Sequence, residues 1–471
     1  MNKFERSVRL LQERCKGCIN CIKYCPTQAI RVKNGKAMIM DEYCIDCGEC
    51  IRMCQNHAKV AVYDSLDVLE QYEYTVALPA PTLYSQFNNL DDVNIVLTAL
   101  LYLGFDDVFE VSGAAELVSE ESRKYLKEHK DKWPLISSAC PSVVRLIRVR
   151  FPNLIEHLIP LDPPVEVAAQ LARQRAMEQT GLPADKIGII FLSPCPSKVS
   201  YSRAPLGKEK SEIDHVLAIK DIYPVLLQFM NEAAKSTLDL SISGRIGISW
   251  GAAGGEAGGL LANSYLAADG IGNVLQVLED MEDRKFERLQ FIELNACHGG
   301  GVGGTLTVEN PYVAKTRLAR LRKYQAVSLS HLEDQPGSAT HWEKPVEYEP
   351  VFQLGTNLKE SFRMLNEIEN YCAKFPGLDC GSCGAPTCKA LAEDIVKGRG
   401  KVTDCIYLLK ENIHEISGEI SKMAEEALLS EASDTECIHM LQGYIRQIAG
   451  QMKKLDNQME VLHRTEEEKI E

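Results

Sequence analysis

The cysteines of this 471-residue chain are the side chains whose number and spacing predict chemistry. Of 17 cysteines, two runs of the form C-x2-C-x2-C-x3-C open the chain, one from Cys15 to Cys25 and one from Cys44 to Cys54. Thiolates are soft ligands that bind iron in both of its common oxidation states. The spacing is typical of iron–sulfur clusters, and a pair of zinc sites is the alternative interpretation.

A further group of four cysteines lies near the C-terminus in the form C-x2-C-x4-C-x16-C. Its members are Cys380, Cys383, Cys388 and Cys405. Glycines between them allow a tight loop, and LAEDIVKG predicts a helix after the third cysteine. A cluster is predicted here, with zinc again as the alternative. Cys372 and Cys437 have no assigned partner and are predicted to be spare thiols.

Three isolated cysteines each follow a short apolar run of the kind that forms a buried strand: Cys140, Cys195 and Cys297. Cys297 opens a turn, HGGGVGG, in which five of seven residues are glycine. Glycine allows backbone N–H groups to approach a bulky anionic object closely. Three cysteines on three loops therefore predict one buried metal centre.

Composition limits the class of protein. The first 15 residues are charged and run directly into cysteines, so no secretory signal is predicted. Dense cysteines in a long chain of this kind favour metal sites over disulfides, and a cytoplasmic location is expected. The net charge of −14 argues against a nucleic-acid partner. No apolar run approaches the roughly 18 residues of a membrane span.

The elements between residues 71 and 324 must position the three isolated cysteines. Apolar runs predict strands in YTVALPAP, KIGIIFLSP and RIGISW, and they alternate with helical patterns in VNIVLTALLYLG and PPVEVAAQLARQRAMEQ. Alternating strands and helices predict largely parallel sheets, whose sites lie at the ends of the strands. The predicted fold class is therefore multidomain α/β.

The C-terminal region changes character. Residues 330–360 contain prolines and acids and are predicted to be a linker. Beyond the last cluster, apolar residues recur at steps of three and four, which is the seam of a coiled coil. The seam residues are Leu409, Ile413, Ile416, Ile420, Met423 and Ala427, and then Ile438, Leu441, Ile445, Ile448, Met452, Leu455, Met459 and Leu462. Ser433 to Glu436 fits a capping box between two helices. A self-packed hairpin and an arm that pairs with another chain remain open.

The first cysteine runs resemble a two-cluster bacterial ferredoxin of α+β fold. In that family three cysteines of each run bind one [4Fe–4S] cluster and the fourth binds the other. The resemblance implies one set of Cys15, Cys18, Cys21 and Cys54, and a second set of Cys44, Cys47, Cys50 and Cys25. Gln55 replaces the proline that often follows the last ligand. The C-terminal group resembles the small [4Fe–4S] domain of Rnf-type subunits, so three clusters are expected in the terminal domains.

The central segment resembles the catalytic domain of [FeFe]-hydrogenases over about 250 residues. The matching stretches are PLISSACPSVVRLI, SPCPSK, IELNACHGGGVGG and the Gly-rich strand-to-helix turn WGAAGGEAGGLL. The resemblance implies that Cys140, Cys195 and Cys297 hold the cubane of an H-cluster, a fourth [4Fe–4S] cluster. It also implies that Lys198 contacts a cyanide of the diiron unit.

Departures from the family bear on activity. The cysteine that bridges the cubane to the diiron unit is replaced by Gly301, so binding of that unit is doubtful. The proton-relaying cysteine is Ala139, two methionines near the site are Ser193 and Asn295, and a usual acid is Tyr201. The polar changes resemble those of sensory-type members, whose turnover is slow. An iron left open could take water, an exogenous ligand or His298, although an exposed turn is the simpler role for that histidine.

Two carboxylates are candidates for carrying protons in place of the missing cysteine. Glu256 lies in the Gly-rich turn and Glu293 lies before the third ligand, and with Lys198 they form the expected catalytic set. The alternative is that each carboxylate only satisfies local backbone donors.

The predicted domains are a ferredoxin domain (1–70), a hydrogenase-like domain (71–329), a linker (330–360), an Rnf-type domain (361–408) and a coiled-coil tail (409–471). One hypothesis is a sensory-type protein that responds to hydrogen or redox poise and reports through its tail to a kinase or phosphatase, or as a homodimer. If it turns over, it is an iron hydrogenase that slowly interconverts hydrogen with protons and electrons. The alternative is a non-catalytic electron-transfer subunit with four clusters, and a cluster-assembly role is more distant.

Overall fold

The computed structural model of the chain describes residues 6–329, 340–429, 439 and 443. The chain divides into two compact units. The first unit comprises Met1–Leu365 with Gly384–Pro386, and the second comprises Asn366–Cys383 with Thr387–Glu471. The first unit contains the two N-terminal cysteine runs and the three isolated cysteines, and the second contains the four C-terminal cysteines.

The N-terminal part of the first unit is built from short elements. They are β1 (Val8–Leu10), α1 (Asn20–Lys23), β2 (Ile30–Lys33), β3 (Lys36–Ile39), α2 (Glu49–Met53) and β4 (Lys59–Ala61). Strand β1 pairs antiparallel with β4, and β2 with β3. Asn34 and Gly35 both have positive φ in the turn between β2 and β3, which is the sequence that a two-residue hairpin turn favours.

The rest of the first unit alternates strands and helices. Its strands are β5 (Tyr74–Pro79), β6 (Asp107–Val108), β7 (Leu135–Ile136), β8 (Ile187–Ser193), β9 (His215–Ala218), β10 (Tyr265–Asp269) and β11 (Phe291–Asn295). Its helices are α3 (Val93–Leu103), α4 (Val111–Glu128), α5 (Pro141–Arg150), α6 (Pro164–Thr180), α7 (Pro196–Arg203), α8 (Ile219–Ala233), α9 (Arg245–Ser249), α10 (Gly255–Gly259), α11 (Ile271–Glu282) and α12 (Pro311–Leu321).

These strands form two parallel sheets. One has the order β6-β5-β8-β9 and the other has the order β10-β11-β7. Strand β8 is buried along its whole length, as expected for a central strand covered on both faces by helices. Cys140, Cys195 and Cys297 all follow the carboxyl ends of strands, namely β7, β8 and β11. The parallel α/β arrangement thus places the three loops where such sheets usually carry their sites.

One predicted strand is a helix. RIGISW forms α9, and the Gly-rich stretch after it joins two helices instead of a strand and a helix. Short apolar runs fit either element by periodicity alone. The helix is selected by a tertiary contact, because the buried Glu116 carboxylate accepts the N–H groups of Gly244 (2.7 Å) and Gly247 (3.3 Å) at the start of α9.

The described part of the predicted linker, residues 340–357, packs along the first unit. The carbonyl of Thr340 accepts the Asp162 N–H at 2.7 Å, and the N–H of Trp342 donates to the Pro160 carbonyl at 3.0 Å. Farther along, the Phe352 ring lies 5.0 Å from that of Tyr43, centroid to centroid. The prolines and acidic residues of this segment predicted a linker, and its described residues are held to the first unit by backbone hydrogen bonds and a ring contact.

Three helices follow toward the C-terminus, and the first of them begins in the first unit and ends in the second. Helix α13 (Leu358–Lys374) begins inside the predicted linker, and α14 (Cys388–Val396) and α15 (Ile406–Leu429) follow. On α15 the side chains of Leu409, Ile413, Ile416 and Ile420 are exposed. The second apolar repeat, the capping box and Cys437 lie outside the described residues. No helix in the described part of the chain is both long and apolar enough to cross a membrane.

Candidate metal centre

The first N-terminal cysteine set converges in the folded chain. Burial raises the pKa of Cys21 to about 11, the Lys59 ammonium lowers it, and the thiolates of Cys18, Cys54 and Cys15 raise it further. Such charge effects require close approach. The structure therefore brings Cys54 of the second run to three cysteines of the first, which is the crossed grouping that the ferredoxin resemblance implies.

The other N-terminal cysteines also lie together. Burial raises the pKa of Cys47 well above its usual value, and the thiolates of Cys25, Cys50 and Cys44 raise it further. All four line one small cavity, together with apolar residues such as Val8 and Ile45. Four thiols around one apolar cavity form a donor set of the kind that holds a cubane.

Backbone N–H groups point at three of these sulfurs. The pairs are Ala29 to Cys25 (3.2 Å), Ala37 to Cys15 (3.3 Å) and Ala58 to Cys54 (3.3 Å), each measured from N to Sγ. The first and third pairs span four residues at equivalent places in the two runs. N–H···S hydrogen bonds stabilise negative charge on cluster sulfurs.

The side chains present fit iron–sulfur clusters. Soft thiolates are grouped in fours, amide donors face their sulfurs, and the space between them is apolar. Within residues 6–329 and 340–429, no group of three or more His, Cys, Asp or Glu side chains has the compact arrangement that would hold a single metal ion.

The central cysteines are positioned by three strand ends. Cys140 and Cys195 precede the prolines that start α5 and α7, so both occupy the N-cap position, where the helix dipole favours a thiolate. Burial raises the pKa of Cys297, and the thiolates of Cys195 and Cys140 raise it further. The structure therefore brings all three together, and they offer three thiolates to a cubane.

The N-terminal elements contact the central loops within the first unit. Arg52 of α2 donates to the Gly303 carbonyl at 2.8 Å, and the Ser7 hydroxyl donates to the Pro196 carbonyl at 2.9 Å. A Cβ built on Gly48 would lie 3.1 Å from Pro196 Cγ. Since Gly48 lies between Cys47 and Cys50, the second cysteine set faces the loop of Cys195.

Position 301 has no room for a side chain. A Cβ on Gly301 would lie 2.6 Å from Thr82 Oγ1 and 3.0 Å from the Gly251 carbonyl oxygen. The N–H of Val302 donates to that same carbonyl at 2.9 Å, which holds the backbone in place. A cysteine here would displace Thr82, so the packing of the loop at this position requires glycine.

Lys198 links the first two central loops. Its ammonium donates to the Ala139 carbonyl at 3.1 Å and lowers the pKa of the Cys195 thiol, which burial raises. The side chain is therefore held beside the central cysteines. A fixed ammonium at this point can hold an anionic ligand of the centre.

The two candidate carboxylates form a buried pair with different partners. Glu293, 2 % exposed, accepts the N–H groups of Gly254 and Ala257 at 2.9 Å each, so it caps α10. Among the described residues, Glu256 accepts a hydrogen bond from the Ser137 hydroxyl alone, at 2.6 Å. Burial, and then the charge of Glu293, raise the pKa of Glu256 to about 8, so Glu256 holds a proton at neutral pH.

A line of polar groups joins this pair to the first loop. Ser137 Oγ accepts the Ala139 N–H at 3.2 Å, and the Ala139 carbonyl is the group that Lys198 contacts. Asn295 donates to Glu293 at 2.8 Å. Burial also raises the pKa of Glu293, so the line ends at a carboxyl pair that resists full ionisation.

The remaining substituted positions have local roles. The Ser193 hydroxyl donates to the Cys195 carbonyl at 3.0 Å. Tyr201 is fully buried, and its hydroxyl has no hydrogen-bond partner among the described residues. His298 is half exposed, with Nδ1 3.9 Å from an Asp269 carboxylate oxygen. Its nearest charged partner is thus a surface carboxylate.

In the second unit, Cys388 starts α14. Its N–H donates to Asp379 Oδ1 at 2.6 Å, and the Thr387 hydroxyl accepts the Ala390 N–H at 3.0 Å, which caps the helix. Burial raises the pKa of Cys372, and the Cys388 thiolate raises it further. Cys372, which had no assigned partner, therefore lies near this group of cysteines.

Several residues of the centre carry no sequence signal. Arg52, Thr82 and Ser137 contact the central loops or their acids across separations of more than a hundred residues. Thr82 lies outside every motif, and Arg52 and Ser137 lie within motifs at positions that the motifs do not single out. For Cys372, one feature of the sequence indicated that it would lie near Cys388, namely its position just upstream of the C-terminal cysteine motif.

Three parts of the chain match known protein families. Residues 73–261 match the family described as "Iron only hydrogenase large subunit, C-terminal domain". Residues 7–55 match a 4Fe-4S dicluster domain, and residues 375–407 match a family described as a putative Fe-S cluster.

Similar curated proteins include iron hydrogenase 1 of Clostridium pasteurianum, 24 % identical over 64 % of this chain and 65 % of its own length. Another is the NADP-reducing hydrogenase subunit HndD of Solidesulfovibrio fructosivorans, 23 % identical over 54 % of this chain and 43 % of its own. The chain thus spans less than two thirds of these relatives. A solved [FeFe]-hydrogenase of Chlamydomonas reinhardtii has a TM-score of 0.46 and 15 % identity, over 60 % of this chain and 98 % of that one.

These matches show an [FeFe]-hydrogenase-like protein of mixed α/β fold with ferredoxin-like [4Fe–4S] domains.

The packing at position 301 generates a stability prediction. Gly301→Ala is expected to lower the free energy of unfolding by about 1–3 kcal/mol, because the added methyl group overlaps Thr82. Thr82→Ala in the same chain should reduce that loss. Chemical denaturation monitored by circular dichroism measures both.

Gly272→Ala is the matched control, because a Cβ at this helical position meets no atom within 4 Å. It should change stability by at most about 1 kcal/mol, in the stabilising direction. Equal stability of the Gly301→Ala protein and the wild type would contradict the packing argument.

Burial of Glu256 generates a pH prediction. The pKa of its carboxyl is raised from 4.5 to about 8, so the native state holds a proton that the unfolded state releases above pH 4.5. Wild-type stability should therefore fall as pH rises from about 5 to 8, by on the order of a few kcal/mol relative to Glu256→Gln. Denaturation curves of both proteins at several pH values measure the difference.

Glu282→Gln is the control, because Glu282 is exposed. If the free energy of unfolding depended on pH equally in the wild type and in Glu256→Gln, the burial effect would be ruled out.

Proposed function

We propose that this [FeFe]-hydrogenase-like chain is a multi-cluster sensory protein whose central cubane is held by Cys140, Cys195 and Cys297, with slow or absent interconversion of hydrogen and protons. The single observation that carries the proposal is the packing at Gly301 against Thr82. A site with three converging cysteines is retained, while the side chain that tethers a diiron unit in active relatives has been replaced and its space is filled.

Electron delivery is supported by contacts within the first unit. Cys25, Cys44, Cys47 and Cys50 flank the surface that touches the loop of Cys195. Arg52 joins this surface to the third central loop at Gly303. When bound, clusters at these sets supply single-electron transfer. The chain's own residues hold the two sets at a fixed separation, because both lie in one compact unit.

Proton handling is supported by Glu256. Its carboxyl is protonated at neutral pH, and Ser137 connects it to the Ala139 backbone, the position of the proton-relaying cysteine in active relatives. Ala139 itself has no group to pass the proton on. The proton is therefore stored one side chain away from the centre, which suits slow exchange better than rapid turnover.

A second candidate is an electron-transfer subunit without a diiron unit. The same closed packing at Gly301 favours it, because an iron that lacks its bridging thiolate is left with three protein ligands. Here Lys198 would stabilise only the charge of the cubane. Both candidate functions require iron–sulfur clusters. They differ in whether the central site reacts with hydrogen.

Infrared spectroscopy with iron analysis tests the proposal. The full chain is reconstituted anaerobically with iron and sulfide and then treated with the synthetic diiron cofactor. Carbonyl and cyanide bands, and more iron than the roughly sixteen atoms of four cubanes, are expected if a diiron unit binds. Lys198→Met should then lose or shift the cyanide bands, and Lys210→Met, at an exposed position, should not. A spectrum without these bands would reject hydrogen sensing at a diiron centre and leave the electron-transfer subunit.

The tail generates a second prediction. The apolar stripe of α15 is exposed, and we propose that it pairs with a second copy or a signalling partner. Ile413→Asp with Ile416→Asp should convert a dimer to a monomer in light scattering and leave iron content unchanged, while off-seam His414→Asp should have no effect. A monomeric wild type that loses helix content in the double variant would instead indicate a self-packed hairpin.

A further inference from the structure

Lys59 is a buried cation without a visible counter-charge. It is the first residue of β4, opposite Leu10 of β1, and it is 2 % exposed. Its ammonium has no hydrogen-bond partner among the described residues. Removing an ammonium from water is costly unless another charge or acceptor compensates, so the position requires a partner.

The charges near Lys59 are cysteine thiolates. Its ammonium lowers the pKa of Cys21, from the first N-terminal set, and of Cys50, from the second. The residue before it, Ala58, donates its N–H to Cys54 Sγ at 3.3 Å. Ala58 also packs in one cluster with Cys21 and Cys50, so Lys59 begins β4 directly beside members of both cysteine sets.

The two other buried cations of this region differ from Lys59. Arg31 donates to the carbonyls of Gln28 (2.7 Å) and Ile30 (3.2 Å). Arg6 forms an ion pair with Asp41. Both cations have protein partners that neutralise or solvate them. The Lys59 ammonium has no such partner among the described residues. The negative charge that balances it must therefore come from the thiolates and the clusters that they bind.

We propose that Lys59 is a counter-charge shared by the two N-terminal clusters and that it raises their reduction potentials. A cubane with four thiolates is an anion, and its reduction adds one electron from an external donor without making or breaking a bond. A fixed ammonium in a medium of low dielectric stabilises the more negative, reduced state more than the oxidised state. The inference goes beyond the proposed function and needs only clusters at the N-terminal cysteine sets.

A potentiometric titration followed by electron paramagnetic resonance tests this inference. The full chain is used in a background where the three central and four C-terminal cysteines are serine, so that only the N-terminal clusters contribute. Lys59→Met removes the charge and keeps the length of the side chain, and Lys59→Arg keeps the charge. Lys33→Met makes the same change in net charge at an exposed position. Iron content is measured for each protein.

Lys59→Met is expected to lower the ratio of reduced to oxidised clusters about tenfold at a fixed potential, which is 59 mV for a one-electron couple. Lys59→Arg and Lys33→Met should leave the ratio near the wild-type value, because solvent screens an exposed charge.

Equal potentials in Lys59→Met and wild type, at full iron content, would overturn the inference. Iron lost from Lys59→Met but retained in Lys59→Arg would show that the ammonium holds the clusters instead of tuning them, and would also overturn it. Because no step depends on hydrogen or on the central site, this result is independent of the infrared test.

Discussion

Close contact between backbones at the glycine turn is the constraint on which the central centre depends. A Cβ at Gly303 would overlap the His298 carbonyl, and one at Gly304 would overlap the Pro194 carbonyl. The turn that follows Cys297 can therefore lie directly against the turn that carries Cys195. Any side chain at these points would push the two loops apart and separate their thiols.

The distribution of buried charge follows from the same geometry. The loops bring thiols and carboxylates into the interior, and several of these groups meet a specific donor. Glu293 accepts backbone N–H groups at the start of α10, and Lys198 bridges two cysteine loops. Lys59 is the exception, since its partner is what the cysteines bind. The first unit thus contains buried charged groups next to the cysteine sets. The Glu256 carboxyl lies apart from these sets and is hydrogen-bonded to Ser137.

Parallel strands bring Cys140, Cys195 and Cys297 to one place, and two neighbouring positions carry no polar side chain. Gly301 packs against Thr82, and Ala139 contributes only its backbone N–H and carbonyl, to Ser137 and Lys198. The three thiols therefore lie among backbone groups and one fixed ammonium.

The sequence by itself determined the elements that depend on local spacing. Cysteine runs predicted the N-terminal and C-terminal groups. The apolar runs of β5 and β8 predicted parallel strands, and β8 ends at the loop of Cys195. These signals are local because a ligand run or a buried strand repeats within a few residues.

Only the tertiary structure decided the features that depend on distant contacts. RIGISW became helix α9 because Glu116, more than a hundred residues away, caps it. The lack of space for a side chain at Gly301 depends on Thr82. The position of Lys59 beside two cysteine sets depends on the pairing of β1 with β4. Such residues come into contact only when the chain folds, and no periodicity or motif in the sequence predicts which of them will be in contact.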